Sequence, residues 1–193
     1  MPTPAVKESR GIDALRHDLE GAREWMATIC GPHGLQVRSP QQLQFHHSGT
    51  VMRSMASTLG YVEYGTDVTV SVHDEAPLNC YSVSLPLTGQ QELAARGRLW
   101  LSDQDKGLIL SPHETQDLAI TGNCRKIILS IPRPALRQVL EGLLQRPLLD
   151  AAVTFDPAMD AANGDQAAWW RMVKFMLSEL GQGGPLLQHQ HMA

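Results

Sequence analysis

The histidines are the residues of this sequence that could most readily bind a metal ion or transfer a proton, and there are eight of them. His46 and His47 are adjacent, so on a strand they would point to opposite faces and could not ligate one ion together. His189 and His191 have the H-x-H spacing of a ligand pair, but they lie in a polar tail. No other histidine is placed to complete a set of two histidines and one carboxylate. We therefore predict no metal site.

Cysteine and serine nucleophiles also lack sequence neighbours that would activate them. Cys30, Cys80 and Cys124 are far apart in sequence and form no C-x-x-C pair. No G-x-S-x-G motif surrounds a serine, and the glycine-rich stretch 181–184 neither follows a strand nor begins a helix. The sequence therefore predicts no catalytic residue, no cofactor and no enzymatic activity.

The composition of the chain excludes several classes of protein. Its 193 residues are 42% hydrophobic and 19% charged, as in an ordinary globular domain. The formal net charge is −4 and no cluster of Lys and Arg stands out, so these residues are not expected to bind nucleic acid. No segment approaches the roughly 20 apolar residues of a membrane span, and the N-terminus has no apolar secretion segment. We therefore predict a soluble, cytoplasmic protein that does not enter a membrane.

The spacing of apolar residues predicts one helix followed by many strands. Apolar residues recur in steps of three and four from Ile12 to Ile29, and the helix is expected to be regular from Leu19 until Gly31 and Pro32 end it. From Gly34 onward the period changes to two. Ten strands are expected, at 35–39, 43–48, 57–64, 67–72, 80–87, 90–95, 98–101, 108–111, 117–120 and 126–131. Short strands without intervening helices indicate an antiparallel sandwich or barrel.

Helical spacing returns after residue 131. An amphipathic helix is expected over 134–145, a short extended piece over 151–155, and a last helix over 165–180. The predicted organisation is a lead-in with a partial helix over 1–18, a helix and the β-rich region over 19–131, a helical region over 132–180, and a linker and tail over 181–193.

The order of these segments resembles that of a known family. The stretches AREWMATICGPHGL (22–35), LGYVEYGTDVTVSV (59–72), CYSVSLPLTGQQEL (80–93) and WWRMVKFMLSEL (169–180) follow one another as in the N-terminal effector-binding domain of AraC/XylS-type transcription regulators. The resemblance depends on the order of the segments, because each segment alone is only a strand with a turn or a helix.

The resemblance implies an α+β, mainly β fold: a cupin-like double-stranded β-barrel (jelly roll) with an N-terminal helix and C-terminal dimerisation helices. It implies a small-molecule effector, such as an organic acid or an aromatic compound, bound in the barrel of a homodimer. In such regulators promoter DNA is bound by a C-terminal helix-turn-helix domain, which is absent from residues 1–193 and is expected in a longer protein. The alternative is a metal-dependent cupin enzyme acting on a small molecule, because the same barrel also carries metal sites.

Five residues are candidates for contact with an effector, because binding pockets are mostly apolar and contain a few polar groups that orient the ligand. They are His46, His47, Tyr81, Val83 and Trp100. Alternation with Phe45 places His47 inward, whereas a change of register by one residue would place His46 there. For Tyr81 and Val83 the alternative is a face that only fills a core. No Lys or Arg is expected inside a strand, where it could pair with a carboxylate.

The last predicted helix is expected to form a dimer contact. Its apolar surface is wider than one core-facing stripe, and two adjacent Trp side chains do not both fit one core contact. The expected contact residues are Trp169, Trp170, Val173 and Leu177, with 136–144 as a second element. The alternative is that this helix only covers the core of its own protomer.

Overall fold

The computed structural model describes residues 9–52, 56–148 and 153–181 of the chain. The elements in chain order are β1 (Ser9–Arg16), α1 (Leu19–Cys30), β2 (Gly34–Val37), β3 (Phe45–Met52), β4 (Ser57–Glu63), β5 (Val68–Val72), β6 (Cys80–Thr88), β7 (Gln91–Ala95), β8 (Arg98–Ser102), β9 (Lys106–Leu110), β10 (Gln116–Ile120), β11 (Arg125–Pro132), α2 (Arg133–Leu144), β12 (Ala158–Asp160) and α3 (Gly164–Gly181). The ten expected strands are present as β2 to β11, with ends that differ by a few residues. Most of the predicted linker and tail, including His189 and His191, lies outside the described residues.

The N-terminal segment is a strand, so the partial helix predicted before residue 18 is wrong. Strand β1 pairs antiparallel with β3 along its whole length. The helix begins only at Leu19, where the Asp18 carboxylate accepts a hydrogen bond of 2.6 Å from the backbone N–H of Gly21. Local spacing did not reveal β1, because the hydrogen bonds that keep it extended are made with a strand distant in sequence.

Two antiparallel sheets pack face to face. The larger sheet has the strand order β1-β3-β4-β11-β6-β9-β12, and the smaller sheet has the order β2-β5-β10-β7-β8. With three helices, this mainly β arrangement is consistent with a cupin-like fold. The expected closed barrel is not formed, because within the described ranges only an isolated bridge between Asp103 and Lys106 joins the ends of the two sheets.

The first hydrophobic core fills the space between the two sheets. The larger sheet contributes residues such as Phe45 and Ile128, the smaller sheet contributes Leu93 and Leu118, and α1 packs Met26 against them. Burial of each large apolar side chain contributes about 1.5–3 kcal/mol to folding. This core therefore holds α1 and both sheets together.

The second hydrophobic core lies on the opposite face of the larger sheet, beneath α3. It joins side chains of β3, β4, β6 and β11 to the inner face of α3, which is formed by Trp170, Val173 and Leu177. Because both faces of the central strands are covered, β6 is buried without interruption from Cys80 to Pro86. No helix within the described ranges is long and apolar enough to cross a membrane.

Gly107 on β9 leaves the space that the indole ring of Trp170 occupies. A Cβ atom at position 107 would lie 2.7 Å from Cζ2 of Trp170 and 3.0 Å from the carbonyl oxygen of Ser84. Trp170 itself is fully buried. The fit of α3 on the larger sheet therefore requires a residue without a side chain at this position.

We expect Gly107→Ala to lower the free energy of unfolding by about 1–3 kcal/mol, because the added methyl group overpacks the contact between α3 and the sheet. The matched control is Gly11→Ala on β1, where an added Cβ meets nothing within 4 Å; its effect should stay within about 0.5 kcal/mol. Urea denaturation of the two variants measures the difference. Equal losses of stability would show that Trp170 adjusts to the methyl group.

Candidate functional site

Strand β6 directs its alternate side chains to two different cores. Ser84 pairs with Ile128 of β11, which belongs to the core between the sheets, whereas Val83 pairs with Leu129, which belongs to the core beneath α3. Successive residues of a strand point to opposite faces. Ser82 and Ser84 therefore face the space between the sheets, and Tyr81 and Val83 face away from it.

Tyr81 is held by contacts on the outer side of the larger sheet. Its hydroxyl donates a hydrogen bond of 2.7 Å to the carbonyl oxygen of Val153, and its ring packs edge-to-face on Phe155 with centroids 5.4 Å apart. Val83 is buried in the same outer region, in the core that contains Trp170. The apolar face of β6 thus supports the C-terminal part of the chain.

A small cavity of about 40 Å³ lies between the two sheets. Met26 and Cys30 of α1 form one side of it, and the sheets contribute mainly aliphatic side chains such as Val72 and Ile120. Two polar side chains of the larger sheet, Ser82 and Lys126, also reach it. Because one water takes about 30 Å³ in the liquid, the space holds one water or one small polar group.

Lys126 is the functional candidate that sequence reasoning missed. Its side chain is 4% exposed, and Nζ donates a hydrogen bond of 2.9 Å to Oε1 of Gln91. The Gln91 amide nitrogen donates in turn to the hydroxyls of Ser84 and Ser102, at 2.9 and 3.0 Å. Desolvation lowers the pKa of Lys126 from 10.5 to about 8, so at pH 7 the ammonium form still predominates.

The sequence held only a weak signal for this lysine. Lys126 alternates with Ile128 and Ser130, but Ile127 and Leu129 on the other face of β11 are equally apolar. Alternation identifies the buried face only where the opposite face is polar. The expectation that no strand carries an inward-pointing Lys or Arg is therefore wrong.

The two adjacent histidines point to opposite sides of β3. His46 is exposed, with Nδ1 3.2 Å from Oε1 of Glu63. His47 is fully buried against Trp25 of α1, with ring centroids 6.2 Å apart. Within the described part of the chain, both ring nitrogens of His47 and Nε1 of Trp25 lack hydrogen-bond partners. His47 is thus the inward-facing residue of the pair, as alternation with Phe45 indicated.

Trp100 lies on β8, the strand at one edge of the smaller sheet. It is partly buried against the core between the sheets, and the guanidinium carbon of Arg98 lies 5.3 Å from its ring centroid. None of the five predicted ligand residues lines the cavity between the sheets. Contact of any of them with an effector stays a prediction.

Most of the residues predicted to form a dimer contact are buried inside the protomer. Trp170 and Val173 have no exposed surface, and Leu177 is 7% exposed. Trp169 is only partly buried and packs edge-to-face on Trp170, with centroids 4.8 Å apart. The inner stripe of α3 therefore cannot touch a second protomer while the helix stays on its sheet.

Helices α2 and α3 together form an apolar groove on the surface. Val139 and Leu143 of α2 and Met172 of α3 line it, and they are 60%, 75% and 50% exposed. None of the residues of α2 is buried. An exposed apolar surface of this kind is typical of a protein interaction site.

The three cysteines of the chain and its possible metal ligands can now be placed. Cys30, Cys80 and Cys124 are buried free thiols. A hydrogen bond with Cys30, together with burial, raises the pKa of the Cys80 thiol, and burial raises the pKa of Cys124. No group of three or more His, Cys, Asp or Glu side chains in the described ranges could hold a metal ion.

Comparison with known proteins identifies the family of the chain. Residues 22–193 match the AraC-binding-like domain, and the chain belongs to this family, as the order of its segments predicted. The fold is similar to that of the AraC-like transcriptional activator CuxR, with a TM-score of 0.65 and 12% sequence identity over 89% of this chain and 62% of CuxR. The chain thus spans less than two thirds of the length of CuxR.

Two further comparisons add little. The structure of the Clostridium difficile EutQ protein matches with a TM-score of 0.35 and 11% identity, over 48% of this chain and 71% of that chain, which is too distant to support an argument. No curated protein sequence matches the chain. The family match and the fold together support the effector-binding domain of a regulator.

Acid pH should destabilise the fold through His47. Burial lowers the pKa of His47 from 6.5 to about 4, so the unfolded chain takes up the proton before the folded chain does. The contribution of neutral His47 to the free energy of unfolding is complete above about pH 6.5. It is lost as the pH falls toward 4, at up to about 1.4 kcal/mol per pH unit.

Urea denaturation at pH 7, 6 and 5 measures this loss. His47→Leu should make the free energy of unfolding fall less steeply with pH than in the wild-type protein. His46→Leu is the control, because His46 is exposed on the other side of the same strand. If the His47 variant kept the wild-type slope, other groups would cause the loss of stability at acid pH. The next candidate would be His33, because burial lowers its pKa as well.

Proposed function

We propose that this chain is the effector-binding and dimerisation domain of an AraC/XylS-type transcription regulator. The main support for this proposal is the family match over residues 22–193. The cavity between the sheets is a candidate binding site for a small molecule. The effector is a small organic molecule, either an organic acid or an aromatic compound, and the domain is not an enzyme. Promoter DNA is bound by a C-terminal helix-turn-helix domain outside residues 1–193.

The alternative of a metal-dependent cupin enzyme has no support from the geometry. The histidines that the sequence singled out are separated by β3, with His46 paired to Glu63 on one side and His47 packed on Trp25 on the other. The buried polar groups of the inner core are instead an amine, an amide and hydroxyls. These groups suit ligand binding by hydrogen bonds.

Binding of an effector larger than one polar group requires the cavity to widen. The side formed by Met26 and Cys30 belongs to α1, a single helix packed on the edge of the core. Displacement of a helix disturbs fewer backbone hydrogen bonds than separation of paired strands. An effector would therefore favour the arrangement in which α1 has moved outward, which is a shift between two populations.

The backbone of Asn79 offers a connection from α1 to α2. Its N–H donates a hydrogen bond of 2.7 Å to the carbonyl oxygen of Cys30, and its carbonyl oxygen accepts one of 3.1 Å from the N–H of Arg133. Gly31, with a φ of +98°, permits this approach, because a Cβ there would lie 2.6 Å from the Asn79 nitrogen. Movement at the end of α1 would therefore displace Asn79 and, through it, the start of α2, which lines the apolar groove.

A thermal-shift screen of small metabolites tests whether the cavity is the effector site. A ligand at 100 times its Kd should raise the free energy of unfolding by about 2.7 kcal/mol. Ser82→Val fills part of the cavity and should weaken binding of any hit by about tenfold or more. Ser71→Val is the control, because alternation on β5 directs Ser71 away from the core that contains Val72. Equal affinity in both variants would place the ligand elsewhere.

The groove between α2 and α3 is the proposed dimer contact. We expect the wild-type chain to be a dimer at tens of micromolar and Leu143→Glu to be a monomer, because a charge in a desolvated contact is unfavourable. Sedimentation velocity measures both. Leu99→Glu is the control, since Leu99 is an equally apolar, 65% exposed residue on the edge of the smaller sheet. If Leu99→Glu dissociated the dimer and Leu143→Glu did not, the dimer contact would lie at the edge of the smaller sheet instead.

A further inference from the structure

Lys126 is a buried cation, and no carboxylate of the described residues pairs with it. Its side chain is 4% exposed, and none of the ion pairs formed by the described residues includes it. A charge held in a protein interior without an opposite charge is unfavourable. The fold therefore keeps at this position a charge whose burial is unfavourable, although its hydrogen bond satisfies Oε1 of Gln91.

The hydrogen bonds around Lys126 orient its ammonium group without satisfying it. An ammonium has three N–H donors, and the described part of the chain supplies one acceptor, Oε1 of Gln91. The Gln91 amide is held by the hydroxyls of Ser84 and Ser102, and the Ser102 hydroxyl donates to the carbonyl oxygen of Lys106 at 2.6 Å. This chain of bonds gives the ammonium a neutral partner on one side and leaves two donors for another group.

Lys126 is one of the residues that line the cavity between the sheets. Ser82 lines the same space, and the remaining walls are mainly apolar, with Val72, Ile120 and Ile128 among them. The volume of about 40 Å³ suits a single carboxylate group next to Lys126. A charge-assisted hydrogen bond is stronger in such low-dielectric surroundings than at a surface.

We propose that Lys126 binds the carboxylate of a small organic anion whose apolar part lies between α1 and the two sheets. The inference rests on the proposed function and names the class of effector and the residue that anchors it. An anion supplies both an acceptor and a negative charge that no carboxylate of the described residues provides, whereas a neutral molecule would supply only the acceptor. The site therefore discriminates between an acid and its neutral amide.

The first test needs no ligand. Lys126→Met replaces the ammonium by an apolar group of similar length, and we expect the melting temperature to stay the same or to rise by several degrees. Removal of the buried charge ends its desolvation cost, which should at least offset the loss of the hydrogen bond to Oε1 of Gln91. A fall of several degrees would show that Lys126 stabilises the fold and would overturn the inference.

The second test compares acids with their amides. Hexanoate and benzoate, with hexanamide and benzamide as neutral counterparts, are titrated calorimetrically into the wild-type protein at constant ionic strength. We expect at least one carboxylate to bind at least about tenfold more tightly than its amide, and Lys126→Met to abolish that difference. Lys106→Met is the control for net charge, because Lys106 is an exposed lysine on β9; its affinities should match the wild-type values.

The outcomes separate this inference from the proposed function. Amides that bind as tightly as the acids, or a Lys126→Met variant that keeps the wild-type preference, would overturn the anion site and leave the effector-binding function standing. Absence of binding by either carboxylate would also overturn it. The effector-binding function itself would fail only if the wider metabolite screen of the wild-type protein gave no ligand at all.

Discussion

The central strands of the larger sheet bury both of their faces, and the rest of the molecule depends on this double burial. One face packs against the smaller sheet and α1, and the other packs against α3. Trp170 reaches the sheet only because Gly107 has no side chain. Loss of α3 would expose the apolar residues of β6 and β11 to water, at a cost of about 25 cal/mol for each Å². The cavity and the C-terminal helix are therefore parts of one cooperative unit.

Within this unit the two cores differ in chemistry. The core beneath α3 is formed mainly by apolar side chains, whereas the core between the sheets also contains Lys126, Gln91 and several serines, among them Ser82, Ser84 and Ser102. Buried polar groups are tolerated when hydrogen bonds satisfy them, and a network of such bonds fixes their directions. The inner core thus orients one charged group through Gln91 and two serine hydroxyls.

The loop that precedes β6 brings the ends of two helices together. Asn79 bonds to the last residue of α1 through its N–H and to the first residue of α2 through its carbonyl group. A helix that moves as a rigid unit carries its terminal carbonyl with it, so a ligand that shifts Met26 or Cys30 also acts on Asn79. Because α2 lines the apolar groove, this contact links the inner core to the groove.

The sequence by itself determined the number and order of strands β2 to β11, the helix from Leu19 and the two C-terminal helices, because short-range spacing and turn residues specify such elements. The family followed from the resemblance of their order to that of known regulators. Only the tertiary structure decided that β1 is a strand and that Trp170 belongs to the protomer core. It also decided that Tyr81 packs on Phe155, outside the space between the sheets, while Lys126 lines the cavity. The physical reason is that β1 is held by pairing with a distant strand, and that alternation cannot distinguish two faces that are both buried.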